Sequence, residues 1–242
     1  MSTLIFALMR MPLLHAISTG CRGLDKFLEG GIKSGEVLLI YGEAETGKTT
    51  FAIQCTTNCC MKGYKTIFID MDGTFSTRRL AQIASDNLEE IAERIILVRP
   101  KDFEEQALAI DQLEDYLTEK VGLIVLDTVT SLYRAELSQS SKQTFKLNRE
   151  LNRQLGKLAQ IAKTRKISVL MTSQVHALFG QNTMILEPVA TRVLKFWADT
   201  VIALKHTLRH NFIKLTVEKN PNKRTFQCYV EIGKEGLIEH IL

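Results

Sequence analysis

The residues Gly42-Glu43-Ala44-Glu45-Thr46-Gly47-Lys48-Thr49 carry the strongest chemical signal in this sequence. They form G-x-x-x-x-G-K-T between an apolar run, Leu38-Leu39-Ile40-Tyr41, and a helix-like stretch from about Lys48 to Met61. A strand before and a helix after are the context that a phosphate-binding loop requires. A nucleoside triphosphate concentrates negative charge, so backbone N–H groups must turn inward around it, and glycines at both ends permit that turn. The helix that follows aims the positive end of its dipole at the same phosphates. Lys48 is expected to reach the β- and γ-phosphates as a point charge, and the Thr49 hydroxyl to ligate Mg²⁺. An ordinary glycine turn is the plain alternative, and the flanking strand and helix weigh against it.

Two more side chains fit the same chemistry. Asp127 follows the apolar run Leu123-Ile124-Val125-Leu126. A carboxylate at the C-terminal end of a buried strand holds Mg²⁺ through its water shell in phosphate-loop NTPases; the alternative is capping of the next turn. Gln174 also ends a strand, on the sheet edge where ligands collect in open α/β folds, and an uncharged amide there can sense a γ-phosphate.

The elements that must position these residues alternate. Helices are expected near 23–28, 48–61, 80–92 (interrupted at Asp86-Asn87), 102–119 capped by Asp102, and 144–163. Strands are expected at 65–71, 95–98, 123–126 and 167–171, followed by 200–204, 212–217 and 226–232 with a turn at Asn220-Pro221-Asn222-Lys223. Alternation over the first two thirds predicts a mostly parallel sheet with helices on both faces, and the last third an antiparallel extension.

The 242 residues are 45% hydrophobic and mean hydropathy is near zero, which describes a globular chain with a large core. Lys and Arg exceed Asp and Glu by only 31 to 27, too little to announce nucleic-acid binding without a local argument. Cys21, Cys55, Cys59, Cys60 and Cys228 lack C-x-x-C spacing and read as small buried residues in a reducing cytoplasm. Residues 1–14 are apolar but broken by Arg10 and Pro12, which argues against a membrane span or a signal peptide. They read either as a docking tail or as a stretch ahead of a start at Met11. We expect a tail over 1–16 and a single domain over 17–242.

In its order of motifs the chain resembles the RecA/RadA recombinase family. The resemblance rests on I-S-T-G-C-R-G-L-D at 17–25, the phosphate loop, I-D-M-D-G-T-F-S-T-R-R-L at 69–80, L-I-V-L-D-T-V-T-S-L-Y-R-A-E-L at 123–137 and T-S-Q-V at 172–175. Without the N-terminal helical DNA-binding domain of full-length archaeal members, it is most similar to their short archaeal paralogues. The resemblance implies a RecA-like ATPase core that binds ATP and Mg²⁺, contacts single-stranded DNA, and assists the main RadA-type recombinase and other repair proteins. It implies that Thr50 completes the phosphate loop, that Arg79 lies against the adenine, and that Gln174 senses the γ-phosphate. Where the family has T-E-G, this chain has Met71-Asp72-Gly73, so Asp72 takes the place of the water-polarising glutamate. Retreat of a carboxylate by about 1 Å costs on the order of a hundredfold in rate, which predicts tight ATP binding with slow turnover. DNA contacts are expected on two loops, 135–143 flanked by Arg134, Lys142 and Lys146, and 176–188 containing Phe179. The second loop contains no lysine or arginine, so binding should be weak and salt-sensitive. The basic run Lys219–Arg224 is another candidate patch. Alternatives are a KaiC-like ATPase, which shares S-T-G-x-x-G-L-D, and an interaction module holding ATP as a structural ligand.

Overall fold

Leucine- and isoleucine-rich runs bounded by glycine or charge form the strands, and amphipathic stretches between them form the helices. The computed structural model describes residues 14–139, 144–179, 184–188, 190–209 and 212–240. A small antiparallel ribbon of β1 (Ala16–Ile17) and β2 (Ile32–Lys33) brackets helix α1 (Arg22–Phe27). The alternating part follows: β3 (Val37–Gly42), α2 (Lys48–Met61), β4 (Lys65–Asp70), α3 (Thr77–Ala84), α4 (Leu88–Ala92), β5 (Ile95–Val98), α5 (Phe103–Asp111), α6 (Leu113–Tyr116), β6 (Val121–Asp127), α7 (Ser131–Gln139), α8 (Thr144–Arg165) and β7 (Ser168–Phe179). β8 (Met184–Pro188), α9 (Thr191–Trp197), β9 (Thr200–His206), β10 (Phe212–Lys219), β11 (Phe226–Gly233) and β12 (Gly236–His240) complete the chain.

The main sheet runs β12-β11-β10-β9-β3-β7-β6-β4-β5, and β8 pairs with the far end of β7. From β9 to β5 every neighbour is parallel, while β9 through β12 are antiparallel. This is the α/β architecture expected from the alternation. The sheet separates two apolar cores. One packs α2 against residues such as Phe68 and Ile202, and the other packs α5 and α8 against Ile124 and Met171. α2 is buried almost all round, including Phe51, Ile53, Cys55 and Cys59. The five cysteines are free and buried. Among the described residues no helix is long and apolar enough to cross a membrane.

Four expectations need correction. The helix started by Asp102, whose side chain accepts from Glu105 N at 2.7 Å, stops at Asp111 instead of reaching Glu119; the chain restarts as the one-turn helix α6. Arg153 and Lys157 of α8 grip the Asp111 carboxylate at that end, at 2.8 and 3.3 Å. The supposed polar loop at 135–143 is helical as far as Gln139, because Tyr133 buries itself and donates to Asn148 Oδ1 at 2.6 Å. Within the supposed loop at 176–188, β7 continues to Phe179 and β8 pairs back from Met184 to Pro188, while residues 180–183 lie outside the described residues. The strand expected over 167–171 is accordingly much longer, and α9 and β12 were not expected.

The C-terminal hairpin is tied to the helix of the phosphate loop. Within α2, Gln54 accepts from Leu237 N at 2.7 Å and donates to Leu237 O at 3.3 Å, so a side-chain amide pairs with edge strand β12 as a neighbouring peptide would. Gly20 and Gly236 leave room for it; a Cβ on either would lie 1.9 and 2.3 Å from the amide. At the opposite edge, β5 and α5 border an apolar cleft of about 290 Å³ lined by Ile96, Val98, Leu108, Leu113 and Tyr116.

Candidate nucleotide site

The turn between β3 and α2 is built to be narrow. A Cβ at Gly42 would lie 2.4 Å from Leu204 O, and Gly47 has φ +87°, a left-handed conformation that glycine adopts without strain. Thr46 Oγ1 donates to Glu43 O at 2.8 Å inside the loop. From outside, β9 braces it: His206 N donates to Glu43 Oε2 at 3.2 Å, and His206 Nε2 lies 2.9 Å from Ala44 O. Glu45 is exposed at the turn's apex with φ +61°.

Lys48 opens α2 and is only 8% exposed; its Nζ donates to Gly42 O at 3.0 Å and to Glu43 O at 2.6 Å. Burial lowers its pKa, against which the charges of Asp127, Asp72 and Glu43 favour the protonated form. Thr49 and Thr50 are half-buried in the first turn of α2. Parallel register then brings the remaining side chains to the same edge. Gly42 pairs with Gln174, and Asp70 with Asp127, so the ends of β3, β7, β6 and β4 lie side by side.

Asp127 is fully buried. Its Oδ1 accepts from Thr172 Oγ1 at 2.5 Å, whereas Oδ2 has no hydrogen-bond partner. Burial raises its pKa, the hydroxyls of Thr172 and Thr49 oppose that rise, and the charges of Asp72 and Asp70 add to it. A buried carboxylate with one oxygen unpaired, beside a threonine hydroxyl, suits a hard divalent cation that takes oxygen ligands. The donor set therefore fits Mg²⁺.

Asp72 lies just beyond β4, half-buried, and accepts a hydrogen bond from Ser131 Oγ at the start of α7. It is close enough for its charge to act on both Lys48 and Asp127. Gln174 is exposed, and Arg134 Nη1 donates to its Oε1 at 3.0 Å. Arg79 sits on α3, where its guanidinium donates to Gly233 O at 2.7 Å, Lys234 O at 3.3 Å and Gln82 Oε1 at 3.0 Å. It is thereby fixed against the β11–β12 turn, and Ile232 and Leu237 of those strands flank Gly47.

Of the residues considered for DNA, Arg134 and Lys146 are exposed, Phe179 is the last residue of β7, and Lys142 lies outside the described residues. The Lys219–Arg224 run forms the β10–β11 turn, with Lys219 Nζ bonded to the carbonyls of Lys195 and Ala198.

Residues 10–240 match the Rad51 family. This chain belongs to that family. Among its relatives is the DNA repair and recombination protein RadB of Methanococcoides burtonii, 40% identical over 189 residues that cover 78% of this chain and 82% of that one. The RadB of Pyrococcus furiosus is 36% identical, covering 77% and 79%. A crystal structure of the RadB recombinase superposes with TM-score 0.78 at 32% identity, covering 93% of this chain and all of that one. The Rad51-family fold thus accounts for the order of motifs, and the RadB relatives are the short type that the sequence resembles.

Two residues at the site and one exposed aromatic elsewhere escaped the sequence reading. Thr172 and Ser131 touch the acidic pair Asp127 and Asp72 only because β4, β6 and β7 are adjacent, which the linear pattern does not reveal. Phe145, 81% exposed at the start of α8 beside Lys146 and Arg149, is an aromatic next to a cation expected to flank the first loop, and that adjacency was the signal.

Proposed function

We propose that this protein is an ATP-binding, slowly hydrolysing accessory factor in DNA repair and recombination, of the RadB type. The observation that carries the proposal is the convergence of Lys48, Thr49, Asp72, Asp127 and Gln174 on the braced loop at 42–47, with Asp127 Oδ2 buried and unpaired. Thr49 and Asp127 are the residues that would hold Mg²⁺, which when bound neutralises charge developing on the phosphoryl oxygens. Lys48 meets the β- and γ-phosphates, Asp72 orients the attacking water, and Gln174 senses the terminal phosphate. Arg79 uses in-plane N–H groups for the hairpin carbonyls, which leaves the faces of its guanidinium for the adenine.

Single-stranded DNA is the proposed polymer ligand, contacted by Arg134, Lys146 and the exposed Phe145. An aromatic ring with neighbouring cations can stack on a base while the phosphates are neutralised. For the main recombinase, the cleft beside edge strand β5 is the proposed contact: an uncovered strand offers backbone pairing, and the adjacent apolar cleft can accept side chains.

Calorimetric titration with ATP in magnesium buffer tests the nucleotide site. Saturable binding that is lost in Lys48→Ala and weakened by chelator is expected, and absence of binding overturns the proposal. Filter binding of single-stranded DNA at low and raised salt, and co-precipitation with the cognate RadA-type recombinase, test the partners. An interaction module would bind ATP and the recombinase but no DNA.

A further inference from the structure

The first turn of α7 faces the nucleotide site through side chains that the phosphate-loop pattern does not contain. Ser131 Oγ donates to Asp72 Oδ1, and one turn later Arg134 reaches Gln174. The helix start is itself held in place: Ser131 N donates to Thr128 O and Arg134 N to Thr130 O, both at 3.0 Å. Tyr133 anchors the same turn in the core, 4% exposed, with its ring 5.8 Å edge-on from Phe103. Ser131 is thus presented to Asp72 by a rigid element.

An aspartate carboxylate rotates broadly about its last torsion, so on a loop it samples many orientations. A fixed donor on one oxygen removes that freedom and leaves the other oxygen turned away from α7. For a carboxylate one methylene shorter than glutamate, orientation matters more, because the reach lost cannot be recovered by side-chain flexing. We infer that Ser131 is a positioning residue for ATP hydrolysis, holding Asp72 Oδ1 so that Oδ2 is the oxygen presented to the attacking water. The inference rests on the hydrolytic role proposed for Asp72 and extends it to a residue on a different element.

The contact adds little to stability, since Asp72 is half-buried and water replaces the lost donor. Ser131→Ala should therefore fold normally and bind ATP within about twofold of wild type, while kcat falls about tenfold or more. Ser131→Thr, which keeps the hydroxyl, should recover most of the rate. In single-turnover reactions on an Asp72→Asn background, Ser131→Ala should cause no further loss, because the serine acts only through the carboxylate. An unchanged kcat in Ser131→Ala, a Thr variant as slow as the Ala variant, or an equal loss on the Asp72→Asn background overturns the inference. Wild-type protein that binds ATP without turning it over also overturns it and leaves nucleotide binding intact, whereas protein that binds no ATP removes both.

Discussion

Replacement of Gln54 by methionine keeps length and volume but deletes the amide that pairs with Leu237. Leu237 N–H loses its partner at 2.7 Å and is left buried, as Leu237 is 1% exposed. An orphaned buried amide costs about 1–3 kcal/mol. Leu237 O loses a weaker bond at 3.3 Å and keeps only the Cys21 thiol, a poor donor at 3.7 Å, which adds up to about 1 kcal/mol. The total of about 1–4 kcal/mol corresponds to a fall in Tm of roughly 2–16 °C for a chain of this size. Urea denaturation measures the global loss, and native-state hydrogen exchange should show the amide of Leu237 losing protection before the strands of the parallel sheet. A loss below about 1 kcal/mol, with Leu237 still protected, would refute the idea that the side-chain amide substitutes for a missing strand.

Two further outcomes follow from the site. Because burial raises the Asp127 pKa, the folded protein binds more protons than the unfolded chain between the ordinary aspartate pKa and the raised one. Its contribution to stability without ligand is therefore lost as pH rises through that window. Subtracting the stability profile of Asp127→Asn from that of wild type isolates this slope, and a flat difference rejects it. Arg79→Ala should weaken ATP binding about tenfold through loss of stacking on the base while leaving inorganic tripolyphosphate affinity unchanged. Equal losses for both ligands, read by competition titration, would place Arg79 in hairpin support alone.

Much of this was legible because it is local. The strand-turn-helix about the phosphate loop needs only its glycines and apolar runs, and α2 ends at Met61 as expected. β5 likewise spans Ile95–Val98 as read, and α8 keeps its apolar stripe through Leu147, Leu151, Leu155 and Leu158. What the sequence hid depends on tertiary contacts. α7 is short and polar and is fixed by the burial of Tyr133, so its composition reads as a loop. Among the described residues β8 has only β7 as a sheet partner, and β12 lies at the edge, where Gln54 supplies what another strand would. The Ser131–Asp72 contact joins residues 59 apart and needs β4 beside β6, which no period in the chain encodes.

The buried cysteines have a practical consequence. Burial pushes the Cys21, Cys59 and Cys228 thiols up to about 12 and drives Cys55 well above its ordinary value, so almost no nucleophilic sulfur is offered while the core stays closed. Alkylating reagents must then wait for the layer beneath α2 to breathe. The rate at which these sulfurs are capped becomes an internal clock for opening of that layer, requiring no engineered label.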